Sequence, residues 1–229
     1  MNRYSVIEHK ISREIVLLKG SPCRWGRCSF CDYIDDNSSD EVSNARINDD
    51  VLQNITGQYG VLEVINSGNI FELPRETLEK IKEIIRVKSI KALFFESHWM
   101  YRKKIQEMKN FFAIETMVKT GIESFNSSFR ENILCKGISY TSIDEIKEYF
   151  DSVCLMVGIK GQTREMITKD IEIAAGNFNH FTVNVFVKNS TDIEPDYNLI
   201  KWFQQEYEYL NHVDKCDVLW VNTDFGVGD

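Results

Sequence analysis

Proline is scarce in this chain, three residues in 229, and no Ser/Gly/Pro-rich stretch divides it. The absence of a linker points to a single domain over residues 1–229, long enough for a substantial core. Long apolar runs are missing as well. No stretch approaches the roughly 18 apolar residues of a membrane span. The N-terminus, Met1-Asn-Arg-Tyr-Ser-Val-Ile-Glu-His-Lys10, lacks the apolar centre of a signal peptide. There is no excess of basic residues: 35 acids stand against 27 bases, for a net charge of −8. Nucleic-acid affinity rests largely on phosphate neutralisation, so this balance argues against RNA or DNA as a partner. The expected location is cytoplasmic. Thiols stay reduced there, and six cysteines favour metal or redox chemistry over disulfides.

What the chain does have is an alternation of strand-like and helix-like runs. Strands are expected at Ile15–Leu18, Val61–Asn66, Ala92–Glu96, Ala113–Val118, Ser152–Val157, Phe181–Val187 and Val218–Val221. Between them lie helical patterns at Pro74–Lys88, Thr141–Phe150, Thr163–Ala175 and Tyr197–Leu210, with weaker ones at Asp49–Ile55 and Tyr101–Lys109. Such alternation implies an α/β fold with a parallel sheet covered by helices. Six strand–helix units are too few for a closed eight-unit barrel of about 250 residues. A partial (β/α)6 barrel with a closing C-terminal strand fits better. The working face of such a sheet lies at the C-terminal ends of its strands, and the polar clusters of this chain follow the expected strands.

The first of those clusters is Cys23-Arg-Trp-Gly-Arg-Cys28-Ser-Phe-Cys31. Thiolates suit iron-sulfur clusters and zinc. Structural zinc takes four ligands, and no fourth cysteine is near, although His9 or His98 could complete a zinc site. Three thiols on an iron-sulfur cluster would leave one iron open to a small molecule.

The cysteine segment resembles the cluster loop of the radical S-adenosylmethionine (SAM) enzymes. Its spacing has four residues and then two, where that superfamily usually has three and then two. The resemblance implies a 4Fe-4S cluster on Cys23, Cys28 and Cys31, with SAM chelating the fourth iron and Phe30 near its adenine. It extends through Ser67-Gly68-Asn69, similar to the motif that binds the SAM amino group, and Glu96, similar to an acid that contacts SAM. Glu123 resembles the group that meets the ribose, and Lys136 the cation that pairs the SAM carboxylate. Gly158 lies in a matching strand-five glycine motif. Taken singly, Glu123 and Lys136 read equally well as solvated charges.

The compact chain resembles most a small group within that superfamily that acts on queuine. The resemblance implies a lyase that uses a deoxyadenosyl radical to break a C–N bond and release the aminomethyl-deazaguanine prequeuosine base. A flavodoxin or ferredoxin is the implied reductant. An enzyme of another modified base or of tRNA is the neighbouring alternative, and a non-enzymatic zinc-binding module the distant one. A deazaguanine needs acceptors, donors and a planar slot. Asn184, Asn222, Asp224 and Phe225 are the candidates to bind it, with Trp220 either stacking or in the core. Tyr33, Asn69 and His98 are candidates for its cyclopentenediol hydroxyls. His98 and Tyr33 are the candidate catalytic groups.

Overall fold

The computed structural model describes residues 1–66 and 68–228; Ser67, one of the expected SAM contacts, lies outside the described residues. Eight strands follow one another in the sheet in chain order: β1 (Tyr4–Ile7), β2 (Arg13–Leu18), β3 (Val61–Asn66), β4 (Ala92–Glu96), β5 (Glu115–Glu123), β6 (Ser152–Val157), β7 (His180–Val185) and β8 (Cys216–Leu219). Only the β1–β2 pair is antiparallel among the registered pairs of described residues. The helices are α1 (Glu41–Leu52), α2 (Arg75–Val87), α3 (Ile105–Phe112), α4 (Ile143–Lys147), α5 (Arg164–Asn177) and α6 (Tyr197–Glu206). This is the expected α/β alternation with one strand added at the N-terminus. No helix among the described residues is long and apolar enough to cross a membrane.

The chain forms two compact units. The first comprises Met1–Gly26, Tyr33–Val118 and Phe225–Asp229; the second comprises Arg27–Asp32 and Lys119–Asp224. In the first unit, α2 places Leu78, Ile81, Ile84 and Ile85 inward, as its apolar spacing predicts. Helix α1 buries Asn44 and Asn48 instead. These amides hydrogen-bond the backbone of Lys19, Gly20 and Ser38, so they hold the chain that enters the cysteine loop. Register places Ile15 beside Glu63 and Glu63 beside Phe94, with Arg13 and Leu17 on the same face. The C-terminal tail packs there: Val227 and Phe225 join Ile7, Ile15 and Leu17, and the Arg13 guanidinium lies 5.2 Å from the Phe225 ring centre.

In the second unit, Ser152, Cys154 and Met156 of β6 share a face with His180, Thr182 and Asn184 of β7. Strand β5 runs through to Glu123 with a bulge between Gly121 and Glu123, where the sequence pattern predicts a loop after Val118. The carboxylate at its end is therefore delivered by a strand.

Candidate active site

The cysteine loop begins after β2. Cys23 falls in the first unit and Cys28 and Cys31 in the second. None of the three is in a disulfide, and all are half-buried. No group of three His, Cys, Asp or Glu side chains is gathered as for a metal ion among the described residues.

In the first unit the loop is tied to the short turn Ile70–Glu72. Ser21 N–H donates to the Glu72 carbonyl, and Arg24 N–H donates to Glu72 Oε1, each at 2.8 Å. The same carboxylate accepts from Asn69 N–H at 3.2 Å and from the Tyr101 hydroxyl at 3.3 Å. Burial pushes the Glu72 carboxyl above its ordinary range, against the pull of these donors. Sequence reasoning misses Glu72, although Asn69 and Glu72 have the spacing of a capping box and form one. A Cβ on Gly68 would overlap Glu72 Oε2 and lie 3.7 Å from Cys23 Cα, so this close approach requires glycine. Asn69 is 1% exposed, and its Nδ2 has no partner among the described residues.

His98 stacks on the Trp25 indole, with ring centres 5.3 Å apart. Its Nδ1 accepts from Met100 N–H at 3.2 Å, which leaves the proton of the neutral ring on Nε2. Glu96 ends β4, half-buried, on the face of Phe94. Tyr33 sits on the turn Tyr33–Asp36 and is 52% exposed, the most open of the candidate catalytic groups.

In the second unit Phe30 is buried among Phe129, Leu134, Ile159 and Phe186, with Cys28 and Cys31 packed against them. The loop is fixed by Ser29 N–H to the Leu134 carbonyl at 3.1 Å and by Asn189 Nδ2 to the Phe30 carbonyl at 2.7 Å. Asn189, too, escapes sequence reasoning: a lone loop amide carries no periodic signal. Lys136 lies 3.1 Å from Glu123 Oε1, and its ammonium 5.5 Å from the centre of the Phe30 ring. Burial alone would lower the lysine pKa. Glu123 and the thiolates of Cys28 and Cys31 outweigh it and hold the ammonium charged, well above the ordinary lysine range. Glu123 has φ of 61°, a left-handed backbone for a non-glycine, and its buried Oε2 has no partner among the described residues. Glu123 and Lys136 are thus buried, and the solvated-charge alternative falls.

The remaining candidates divide. Asn184 is half-buried near the end of β7, beside Met156 in register. Gly158 has φ of 92°, and a Cβ there would overlap Ile200, so packing against α6 accounts for this glycine. Trp220 is half-buried, packs on Phe203 and donates from Nε1 to Asn211 at 3.0 Å. Asp224 is exposed and closes a tight turn, accepting from the N–H of Trp220 at 2.6 Å and of Val221 at 3.0 Å. Asn222 is exposed in that turn. Phe225 is half-buried over the Arg13 guanidinium and packs with Ile7, Ile15, Leu17 and Val227 in the first unit.

Among the described residues, the first unit leaves the buried Asn69 Nδ2 without a partner and the second unit leaves the buried Glu123 Oε2, one donor and one acceptor left open. Parallel strands in chain order with the cysteine loop after the first of them define the radical SAM partial barrel. No protein-family model matches the chain. SuiB of Streptococcus suis, solved bound to S-adenosylmethionine, has the same fold: TM-score 0.56 at 13% identity, over 92% of this chain and 48% of that one. An uncharacterized protein of Methanocaldococcus jannaschii is 23% identical over 153 residues, 56% of this chain; the match spans only 40% of that curated relative's length. A solved queuine lyase from Clostridium spiroforme, bound to SAM and queuine, matches at 58% identity and TM-score 0.99 over 100% of both chains. The chain belongs to the queuine lyase family.

Proposed function

We propose that this protein is a single-domain radical SAM lyase that cleaves the C–N bond of queuine and releases the aminomethyl-deazaguanine prequeuosine base. One observation carries the reading: likeness over the whole chain to a queuine lyase, at 58% identity. Cys23, Cys28 and Cys31 hold the 4Fe-4S cluster, which together with SAM supplies the radical chemistry. The leftover atoms of Asn69 and Glu123 support their role in binding SAM. Lys136, held charged, serves the SAM carboxylate, and Phe30 supplies an apolar wall. Gly68 admits the close approach of the backbone, and Glu96 adds a carboxylate at the strand end.

For queuine the best-supported contact is Asn184, which can both donate and accept from the end of β7. Asn222 and the second oxygen of Asp224 are further candidates on the turn after β8. His98 is the proton-exchanging candidate, its ring fixed by Trp25 and by Met100 N–H. The stacked rings of Phe71 and Tyr101, 4.9 Å apart, help exclude water. A flavodoxin or ferredoxin delivers the electron, the setting is the cytoplasm, and the net charge of −8 argues against nucleic acid as a partner.

The deciding experiment is anaerobic incubation of the reconstituted protein with SAM, a reductant and queuine. The expected products are methionine, deoxyadenosine and the prequeuosine base. SAM cleavage without that base would keep the class and remove the substrate.

A further inference from the structure

We infer that Glu72 is a positioning residue that sets the seat of Cys23 and of the SAM-binding turn at once. The inference rests on the proposed SAM site and goes beyond it, because Glu72 belongs to none of the motifs that suggest that site.

Two segments of the first unit have to be held in register for such a site: the chain around Cys23 and the turn at Gly68–Asn69. Both end on Glu72. Its carbonyl takes the Ser21 N–H, two residues before Cys23, and its Oε1 takes the Arg24 N–H, one residue after it. Its Oε2 takes the Asn69 N–H, and the missing side chain of Gly68 leaves room for that oxygen. The Tyr101 hydroxyl, on a ring stacked against Phe71, donates to the same Oε1. The carboxyl group is 7% exposed as part of its residue, so it is shaped for these donors and not for solvent. A carboxylate is the suitable group because it is acceptor-only and can face several N–H and O–H donors together; an amide would turn an NH2 toward one of them. Loss of such an orienting partner at a metal site typically costs about tenfold to a hundredfold in affinity.

The test compares wild type with Glu72→Gln and Glu72→Asp, each reconstituted anaerobically. Iron per chain, the electron paramagnetic resonance spectrum of the reduced cluster with and without SAM, the Kd for SAM and the melting of the apo-protein are read together. The expected result is a weakening of SAM binding by about tenfold to a hundredfold in both variants, with an altered SAM-dependent spectrum. Asp retains the charge but is one methylene too short to reach both segments. Variants that bind SAM with wild-type affinity and spectrum overturn the inference, whatever their melting temperature. If Glu72→Gln fails to fold, Glu72→Asp decides; if neither folds, Glu72 is a folding residue and the inference falls. Failure of the wild type to take up cluster or SAM would instead strike the proposed function.

Discussion

The two ends of the strands treat buried polar groups in opposite ways. At the N-terminal ends these groups satisfy one another. In the first unit Arg13 and Glu63 form an ion pair with both side chains 1% exposed. In the second, Ser152 Oγ lies 2.9 Å from His180 Nδ1, and His180 Nε2 lies 3.2 Å from Asp217 Oδ2. At the C-terminal ends the groups are equally buried but leave atoms over: Asn69 Nδ2 in the first unit and Glu123 Oε2 in the second. Glu123 also bears a left-handed backbone. An unpartnered buried polar atom costs about 1–3 kcal/mol. Under the proposed function, the leftover atoms at the C-terminal ends are the ones a bound ligand would meet. Among the described residues the mid-strand Thr120 and Thr182 hydroxyls and Asn44 Oδ1 of α1 are also unpartnered, and there the contrast is weakest.

The comparison can be broken at several points. Lys136→Met should have the largest effect. It leaves the Glu123 carboxylate buried without its cation, a loss of about 3–5 kcal/mol, and it should raise the SAM Kd at least about a hundredfold. Denaturant unfolding and SAM titration measure the two effects. Glu63→Gln should cost a similar or somewhat smaller amount of stability, about 3 kcal/mol, by stranding Arg13. The SAM Kd of this variant should stay within about threefold of wild type; a larger loss would mean that the N-terminal ends are not purely structural.

Asp170 of α5 sharpens the contrast by pH. Both its oxygens have donors, Ser124 Oγ at 2.6 Å and Phe125 N–H at 2.7 Å, yet burial raises its pKa to about 6. The folded chain thus binds this proton more tightly than the unfolded one, whose Asp titrates near 3.9. The resulting stability, about 3 kcal/mol, is fully present below pH 4 and is lost as pH rises through about 6. The unfolding free energy of the apo wild type minus that of Asp170→Asn should fall across that window; a flat difference would show that burial does not govern this carboxyl. Thr182→Val should have the smallest effect, neutral to about 1 kcal/mol stabilising. A marked loss of queuine binding in that variant would move Thr182 to the ligand side of the contrast.

Much of this arrangement is legible in the sequence because apolar runs are local. Strands β3, β4 and β6 fall within their expected limits, and the α2 stripe is the observed one. Strand β1 is not legible: Tyr4–Ile7 is a half-buried edge strand of four residues. Helix α1 is seen only at its end, because its inner face carries Asn44 and Asn48 in place of apolar residues. Glu123 and Lys136 stand out through family motifs, while Glu72 and Asn189 do not. Their work is done on backbone N–H and carbonyl groups distant in the chain, and no side-chain pattern encodes that. Phe225 misleads for a related reason. A polar turn after a strand suggests an exposed ring, whereas Phe225 is half-buried over Arg13 beside Ile15 and Leu17.

The anchoring of the cysteine loop also sets an order of events during synthesis. Because sheet order follows chain order, each parallel strand meets a neighbour that has already left the ribosome. The loop, by contrast, emerges long before its anchors. Glu72 follows Arg24 by 48 residues, and Asn189 follows Phe30 by 159. A nascent chain therefore gains the anchors of this loop one at a time, the Glu72 contacts first and the Asn189 contact last. Both anchors are in place only once β7 and the residues that follow it have been made.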